Sequence, residues 1–534
     1  MIIASFIARA IGLVYRIPLS NALGDIGNTY YSTANEIYVI ILMISSFSLP
    51  LAVSKLISER LHRGETRNAY AVFLCALKFG AISGGVMALF TFLMAGTITG
   101  FMKFELASYA LQVLSPAIFI SAIVGVLRGF FQGHQTMVPS AVSQVIEQIV
   151  NAITSIICAY SFLSQGLQQA IEDGIENGET TLGPAYGAAG GTAGTLISLL
   201  VALLFMFVIY KSHQRIFKRQ LRRDKTTHKE SEQAIYREIL ITIIPIVLST
   251  VIYNINHIIG QGLFGSILLT QGFTEAKYSL IWGPYANFRI IMNIPLAIAS
   301  CLSPAIVPAL AAAMVDKDYR LAGSKIKNTI RYSMVIIIPC AVGMAALADP
   351  IFKMIFPESA GSLATGIVQA GALMIVFLSL STLTTGILQG LGEMRAPLIN
   401  SGIALIIFII STVIMLRSSL FIYAIVYSNV IFGLVVCLLN AWAIKRCIGY
   451  RQELIRTFIL PTAIAGIMGI IVYGTHSLFD LFAGNAISTM IAVLVGILVY
   501  GTLLVKLRGV TERELLGMPK GELLVNLLKK CRVL

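Results

Sequence analysis

Ile2-Ile-Ala-Ser-Phe-Ile-Ala-Arg9-Ala-Ile-Gly-Leu-Val-Tyr-Arg16-Ile-Pro-Leu-Ser-Asn-Ala22 decides how the rest of the chain is read. The run is long enough to cross a bilayer as a helix, yet it holds Arg9 and Arg16. Seven residues make two helical turns, so the two guanidiniums lie on nearly one face, roughly 10 Å apart along the axis. Each arginine at the centre of a membrane helix costs about 3 kcal/mol on insertion scales. A helix that keeps both is expected to face something polar: water, a partner or an anionic substrate. The alternative is that they snorkel to opposite interfaces of a tilted helix.

The remaining composition agrees with a membrane setting. Of 534 residues, 57% are hydrophobic and 12% charged, and the mean hydropathy is +0.84. A soluble chain of this length has too little interior for that much apolar surface, so the sequence predicts an all-α polytopic membrane protein. The net charge of +14 has its origin in basic connections on one side of the membrane. Nucleic acid is excluded as a partner, because no basic face with stacking aromatics is present. No small-residue cleavage site follows a short apolar region, so the opening run reads as a retained helix. Cys75, Cys158, Cys301, Cys340 and Cys437 lie in apolar runs without metal-ligand spacing, which points to packing. No metal and no cofactor is expected.

About fourteen spans are predicted, with cores near 2–22, 36–58, 70–98, 107–132, 138–163, 187–210, 237–262, 279–312, 324–348, 366–390, 397–416, 420–444, 456–475 and 485–506. All are helices, because these runs are too long for barrel strands. Basic residues gather in alternate connections: Arg60, Arg63 and Arg67; Lys211 to Lys229; Lys317, Arg320, Lys325 and Lys327; Lys445, Arg446, Arg451 and Arg456. This places both termini in the cytoplasm. The longest outer connection, 164–183, is acidic and reads as a solvated loop.

Two echoes indicate a duplication. Ser48-Leu-Pro50-Leu-Ala-Val-Ser54 recurs as Leu302-Ser-Pro304-Ala-Ile-Val-Pro308, an offset of 254 residues between Pro50 and Pro304. Gly125-Val-Leu-Arg128-Gly-Phe-Phe-Gln132-Gly133 before Pro139 recurs as Gly386-Ile-Leu-Gln389-Gly390-Leu-Gly392 before Pro397, at offsets of 258–261. Two six-helix lobes in parallel orientation, with two helices added at the end, are the expected architecture. The divisions are an N-terminal lobe over 1–211, a basic linker over 212–235, a C-terminal lobe over 236–447, a final helix pair over 448–507 and a cytoplasmic tail over 508–534. In the tail, Thr511 and Glu514 have capping-box spacing.

Intramembrane polar residues are the candidate site. Gln144, Glu147 and Gln148 share one face of the fifth span at i, i+3, i+4 spacing, and Glu147 is expected to pair with a cavity arginine. Asn287 and Arg289 begin the eighth span, where Arg289 lines a cavity or snorkels outward. Asn254, Asn256 and His257 polarise the seventh. Asn35 and Glu36 stand where the second span is expected to begin, as candidate site or interface residues. No Walker lysine loop and no clustered catalytic set is found, so transport is favoured over catalysis.

Ala8-Arg9-Ala-Ile-Gly12-Leu-Val-Tyr15-Arg16-Ile-Pro18 resembles the opening helix of the MurJ and SpoVB branch of the multidrug/oligosaccharidyl-lipid/polysaccharide exporter superfamily. Gly129-Phe-Phe-Gln132-Gly133 through Pro139 to Gln144, Glu147 and Gln148 resembles it too, as do Leu388-Gln389-Gly390-Leu-Gly392 to Pro397 and the tail Met518-Pro519-Lys520-Gly521. The resemblance implies a flippase that moves lipid-linked peptidoglycan precursor, lipid II, from the inner to the outer leaflet by alternating access. It implies a central cavity, an apolar groove on helices thirteen and fourteen, and arginines at Arg9, Arg16 and Arg289 that hold the pyrophosphate. Two departures stand out: Met43–Ser48 lacks the family's second-helix arginine, and Tyr30–Tyr31 replaces an acidic position. The expected setting is a bacterial plasma membrane, with the protein a monomer among membrane lipids. A flippase for another undecaprenyl-linked polysaccharide unit and, in a different class, a membrane enzyme of polysaccharide assembly are the alternatives.

Overall fold

Long uninterrupted apolar runs leave the backbone no partner but itself, and the chain answers with helices. The computed structural model describes residues 8, 11–12, 14–46, 48–172, 178–224, 229–418, 420–507 and 509. Among these are fifteen α-helices and no strand. In order they are α1 Arg16–Ser45, α2 Leu49–His62, α3 Thr66–Phe101, α4 Ala107–Gly133, α5 Val138–Glu172, α6 Gly178–Arg223, α7 Glu232–Thr270 and α8 Glu275–Val315. There follow α9 Tyr319–Ala346, α10 Ala348–Ile355, α11 Ser362–Gly390, α12 Arg395–Arg417, α13 Ile422–Ile448, α14 Leu460–Ala483 and α15 Asn485–Lys506. Eleven helical stretches among the described residues are long and apolar enough to cross a membrane. The protein is an all-α, multi-pass membrane protein. Arg9, Asp173, Glu176 and the tail with Thr511 and Glu514 lie outside the described residues.

α1 corrects the sequence reading of the second span. Gly24 interrupts the helix at φ +65°, a backbone region that favours glycine. Backbone bonds from Tyr15 to Ile11 and from Leu19 to Tyr15 carry the helix back before Arg16. After Gly24 a new helical stretch starts at once, so Asn35 and Glu36 lie about three turns inside it and not at its start. The stretch looked like a connector because it is polar. Its threonine and serine hydroxyls are satisfied locally: Thr29 Oγ1 donates to Asp25 O at 2.8 Å, Ser32 Oγ to Thr29 O at 3.0 Å and Thr33 Oγ1 to Thr29 O at 2.7 Å. Gly27, Asn28, Thr29, Tyr30, Tyr31 and Thr33 are accordingly buried. The helix stops at Ser45, and α2 begins with Pro50 in its first turn, so Pro50 starts a helix where the sequence placed it late in one.

Packing divides the chain into two units, Met1–Ala286 and Asn287–Leu534. α7 and the first turns of α8 belong to the first unit because they pack along α1 and α3. Thr29 Oγ1 reaches Ser279 O at 2.9 Å, Gln261 Nε2 donates to Thr33 Oγ1, and Tyr278 Oη donates to Lys103 O. α5 and α6 form the most extensive pair in the unit. A Cβ on Gly190 would stand 2.2 Å from Cys158 O, and one on Gly194 2.1 Å from Ser155 Oγ, so the two backbones touch. Both helices outrun the expected spans. α5 reaches Glu172 and α6 starts at Gly178, so most of the expected outer loop is helical, and α6 continues through the basic segment to Arg223.

One end of this unit is held by a buried cation. Arg60 on α2 is 4% exposed. Its Nε donates to Glu230 Oε1 and Oε2 at 3.1 and 3.0 Å, its Nη2 to Glu230 at 2.6 Å and to Glu238, and its Nη1 to Leu56 O at 3.1 Å. A planar fork of five donors is needed to serve that many acceptors.

In the second unit α11 packs on α9 and α13, and α12 on α13. Asn440 ties them together, accepting from Asn400 Nδ2 at 2.8 Å and donating to Thr384 Oγ1 at 3.1 Å. The final pair, α14 and α15, docks on α9: Tyr500 Oη donates to Val335 O at 2.9 Å, and Arg331 Nη2 donates to Gly509 O. Elsewhere this pair leaves large apolar side chains uncovered, among them Ile470, Leu481, Phe482 and Leu498. Glu453, in the connection before α14, meets Lys327 Nζ at 2.6 Å.

Arg60→Ala should lower stability by about 2 kcal/mol, because Glu230 and Glu238 lose their common cation. Thermal unfolding in detergent measures it, and Arg60→Lys should recover part of the loss. The Lys327 bond, with Arg331 and Arg456 nearby, holds the Glu453 carboxyl below its ordinary value of 4.5. A depressed carboxylate adds stability above its unfolded pKa and loses it as pH falls through the folded one. Glu453→Gln should therefore narrow its stability gap to the native protein as pH drops below about 4.5, read from melting curves across pH.

Candidate functional site

The polar face of α5 is the axis of the site in the first unit. Gln144, Glu147 and Gln148 are all half-buried. The face extends beyond them to Asn151 and Ser155 at the next helical repeats. Three structures converge on it: the helical turn before α1, α4 and α6.

Arg16 is half-buried, and its guanidinium carbon lies 5.6 Å from the centroid of the Tyr31 ring, across the Gly24 break. Tyr31 is 4% exposed, so the guanidinium is turned into the protein against an aromatic face. Tyr15 and Tyr31 flank the charge with their hydroxyls. No carboxylate among the described residues comes within ion-pair distance of Arg16. Tyr15 is in turn fixed by Asn151, whose Nδ2 donates to Tyr15 Oη at 2.9 Å. Asn151 Oδ1 accepts from Ser155 Oγ at 2.8 Å and from Thr195 Oγ1 at 3.4 Å. Gln148 sits against the same turn: its Oε1 is 3.0 Å from where a side chain on Gly12 would begin.

Glu147 pairs with Arg128 of α4, Nη2 to Oε2 at 2.7 Å. Ser143 Oγ accepts from Arg128 Nε and Nη2 at 3.1 and 2.7 Å. The cation beside Glu147 is thus Arg128, a residue in the quoted glycine motif to which the sequence reading assigned no role. The signal was present, since Arg128 is itself an arginine inside an apolar run. Asn151 was likewise legible as the continuation of the Gln144–Glu147–Gln148 stripe.

The other expected residues have these places. Asn35 and Glu36 are half-buried on α1. Asn254 on α7 turns its amide back to its own helix, Nδ2 to Thr250 O at 2.7 Å. In the second unit, Asn287 is 1% exposed and donates to Ser359 Oγ at 2.6 Å, while Arg289 is half-buried two residues further along α8. The structure therefore gathers Arg16, Gln148, Glu147 and the stripe of α5 in the first unit, and Asn287 with Ser359 in the second.

Chemically, a half-buried guanidinium with no carboxylate at ion-pair distance among the described residues has the chemistry to receive an anion. Its charge is already desolvated in part, and an incoming phosphate oxygen would meet ready donors.

The chain is similar to known proteins. The family model described as polysaccharide biosynthesis protein matches residues 1–314. The lipid II flippase MurJ of Bacillus subtilis (strain 168) is 22% identical over 483 residues, 88% of this chain and 86% of that one. Stage V sporulation protein B of the same organism is 24% identical over 526 residues, 97% of this chain and 96% of its own. A solved structure of lipid II flippase MurJ in an inward closed conformation superposes with a TM-score of 0.64 at 16% identity, covering 94% of this chain and 97% of that one. The fold is shared with that structure.

Asn151→Ala should destabilise the protein by about 2 kcal/mol, since it strips the partner from a buried tyrosine hydroxyl and from two hydroxyls of α5 and α6. Asn151→Asp keeps the acceptor and loses the donor, so its melting temperature should fall between the two.

Proposed function

The chain belongs to the polysaccharide biosynthesis protein family, and on that premise we propose that it is a flippase for a lipid-linked glycan. The substrate we assign is lipid II, carried from the inner to the outer leaflet of a bacterial plasma membrane by alternating access. Its role is in cell-wall or spore-cortex synthesis. The relatives named above support this reading, one being a lipid II flippase and another a sporulation protein. Both termini are cytoplasmic in this reading, the two lobes are the six-helix repeats over 1–211 and 236–447, and the protein works as a monomer.

The observation that carries it is Arg16, a guanidinium inside a helical span, against Tyr31, with no carboxylate at ion-pair distance among the described residues. A pyrophosphate crossing hydrocarbon faces a desolvation cost of many kcal/mol. A pre-placed guanidinium offsets part of that cost without reorganising at the moment of transfer. Arg9 and Arg289 are assigned the same task, with Gln144, Glu147, Gln148, Asn287, Asn35, Glu36 and Asn254 shaping the path. The isoprenoid tail stays in lipid beside α14 and α15, where apolar side chains lie uncovered. The family description also suits another undecaprenyl-linked polysaccharide unit, and the missing second-helix arginine at Met43–Ser48 favours keeping that substrate in the test.

In cells that depend on this protein, Arg16→Ala and Arg289→Ala should each reduce outer-leaflet lipid II at least roughly tenfold, the equivalent of one lost charged contact. Arg16→Lys should retain part of the activity. Full activity from a combined Arg9→Ala and Arg16→Ala variant would refute the assignment. Depletion should trap lipid II on the inner leaflet; accumulation of a different lipid-linked glycan would move the substrate to that glycan.

A further inference from the structure

We propose that Arg128 is a second anion-binding guanidinium, screened by Glu147 until a pyrophosphate displaces the carboxylate. The inference rests on the flippase reading and adds a residue and an order of events to it.

The pair is incomplete as an ion pair. Arg128 and Glu147 meet through one contact, Nη2 to Oε2 at 2.7 Å, with side chains 13% and 19% exposed. The rest of the guanidinium edge leans on a neutral hydroxyl, Ser143 Oγ. Arg128 Nη1 and Glu147 Oε1 have no hydrogen-bond partner among the described residues. A lock between helices is expected to use both teeth of the fork, as arginine–carboxylate pairs commonly do. Arg60 illustrates that arrangement in this chain, with all three guanidinium nitrogens engaged. Arg128 keeps a donor in hand.

Placement gives the spare donor a use. Arg128 lies five residues before the end of α4 and Glu147 nine residues after the start of α5, roughly 8 and 13 Å from the helix ends. In the proposed orientation these are the cytoplasmic ends, where substrate enters. One turn further along α5 stands Asn151, which holds Tyr15 beside Arg16. A screened cation and an open one are therefore strung along one helix face, the screened one nearer the entrance. A pyrophosphate carries more negative charge than a carboxylate and presents oxygens to both guanidinium edges, so it out-competes Glu147 at close range. With no substrate, Glu147 lowers the cost of storing a second cation in hydrocarbon. It also keeps Arg128 from holding stray anions.

The test uses the full-length protein in detergent with farnesyl pyrophosphate as probe, titrated against wild type, Glu147→Gln, Arg128→Gln, the double variant and Arg16→Ala. Glu147→Gln is nearly isosteric and should bind the probe several-fold tighter, because the screen is gone. Arg128→Gln should bind roughly tenfold weaker, and the double variant no tighter than Arg128→Gln alone. Equal affinity of wild type, Glu147→Gln and Arg128→Gln, with binding lost in Arg16→Ala, would overturn this inference and leave the flippase reading standing. Weaker binding in Glu147→Gln, matched by a lower melting temperature, would make the pair a helix lock and also overturn it. Failure of wild type to bind at all would count against the flippase reading and this inference together.

Discussion

A guanidinium kept inside a helical span, with no carboxylate at ion-pair distance among the described residues, constrains everything packed around it. Arg16 cannot face hydrocarbon at tolerable cost, so it must be housed by polarisable or polar groups. The chain supplies the face of Tyr31 and the hydroxyl of Tyr15. Tyr15 needs fixing in turn: Asn151 donates to its hydroxyl, and the hydroxyls of Ser155 and Thr195 hold Asn151. The contact of α5 with α6 lets this happen, since Gly194 brings the second backbone against Ser155. The polar stripe of α5 and the small residues of α6 are thus two consequences of one stored charge.

Among the described residues of the first unit, the intramembrane arginines Arg16 and Arg128 are treated differently, and the difference is informative. Arg128 is neutralised by a single-toothed carboxylate, whereas Arg16 is sheltered by aromatic rings. Neutralisation by Glu147 lowers the cost of burial and weakens the pull on an incoming anion. Shelter by tyrosine lowers the cost less and leaves the pull intact. Under the proposed function, a path that gathers an anion and then releases it benefits from both kinds, because binding that is uniformly strong would hold the cargo.

α1 shows how a membrane helix hides its length. Between Gly24 and Glu36 the chain is rich in Asn, Thr, Tyr and Ser, and hydropathy alone reads it as a connection. It is helical because threonine and serine return their hydroxyl bonds to carbonyls one turn back, so their polarity is spent locally. The same residues allow close approach, and α7 and the beginning of α8 use it. The packing boundary falls inside α8 for that reason, although sequence repeats alone point to the basic segment before α7.

The all-α class, the membrane setting and the polar stripe of Gln144, Glu147 and Gln148 were legible in the residues themselves, because run length and helical periodicity are local quantities. So was the presence of arginines that hydrocarbon would reject. What only the tertiary structure decided is which partner each charge found: Tyr31 for Arg16, and Arg128 for Glu147. These pairings join residues 15 and 19 positions apart in sequence, across a glycine break in one case and between helices in the other. Where α5 and α6 meet depends on Gly190 and Gly194, whose missing side chains let the two backbones close in. That is a property of packed surfaces in contact, and no single helix carries it.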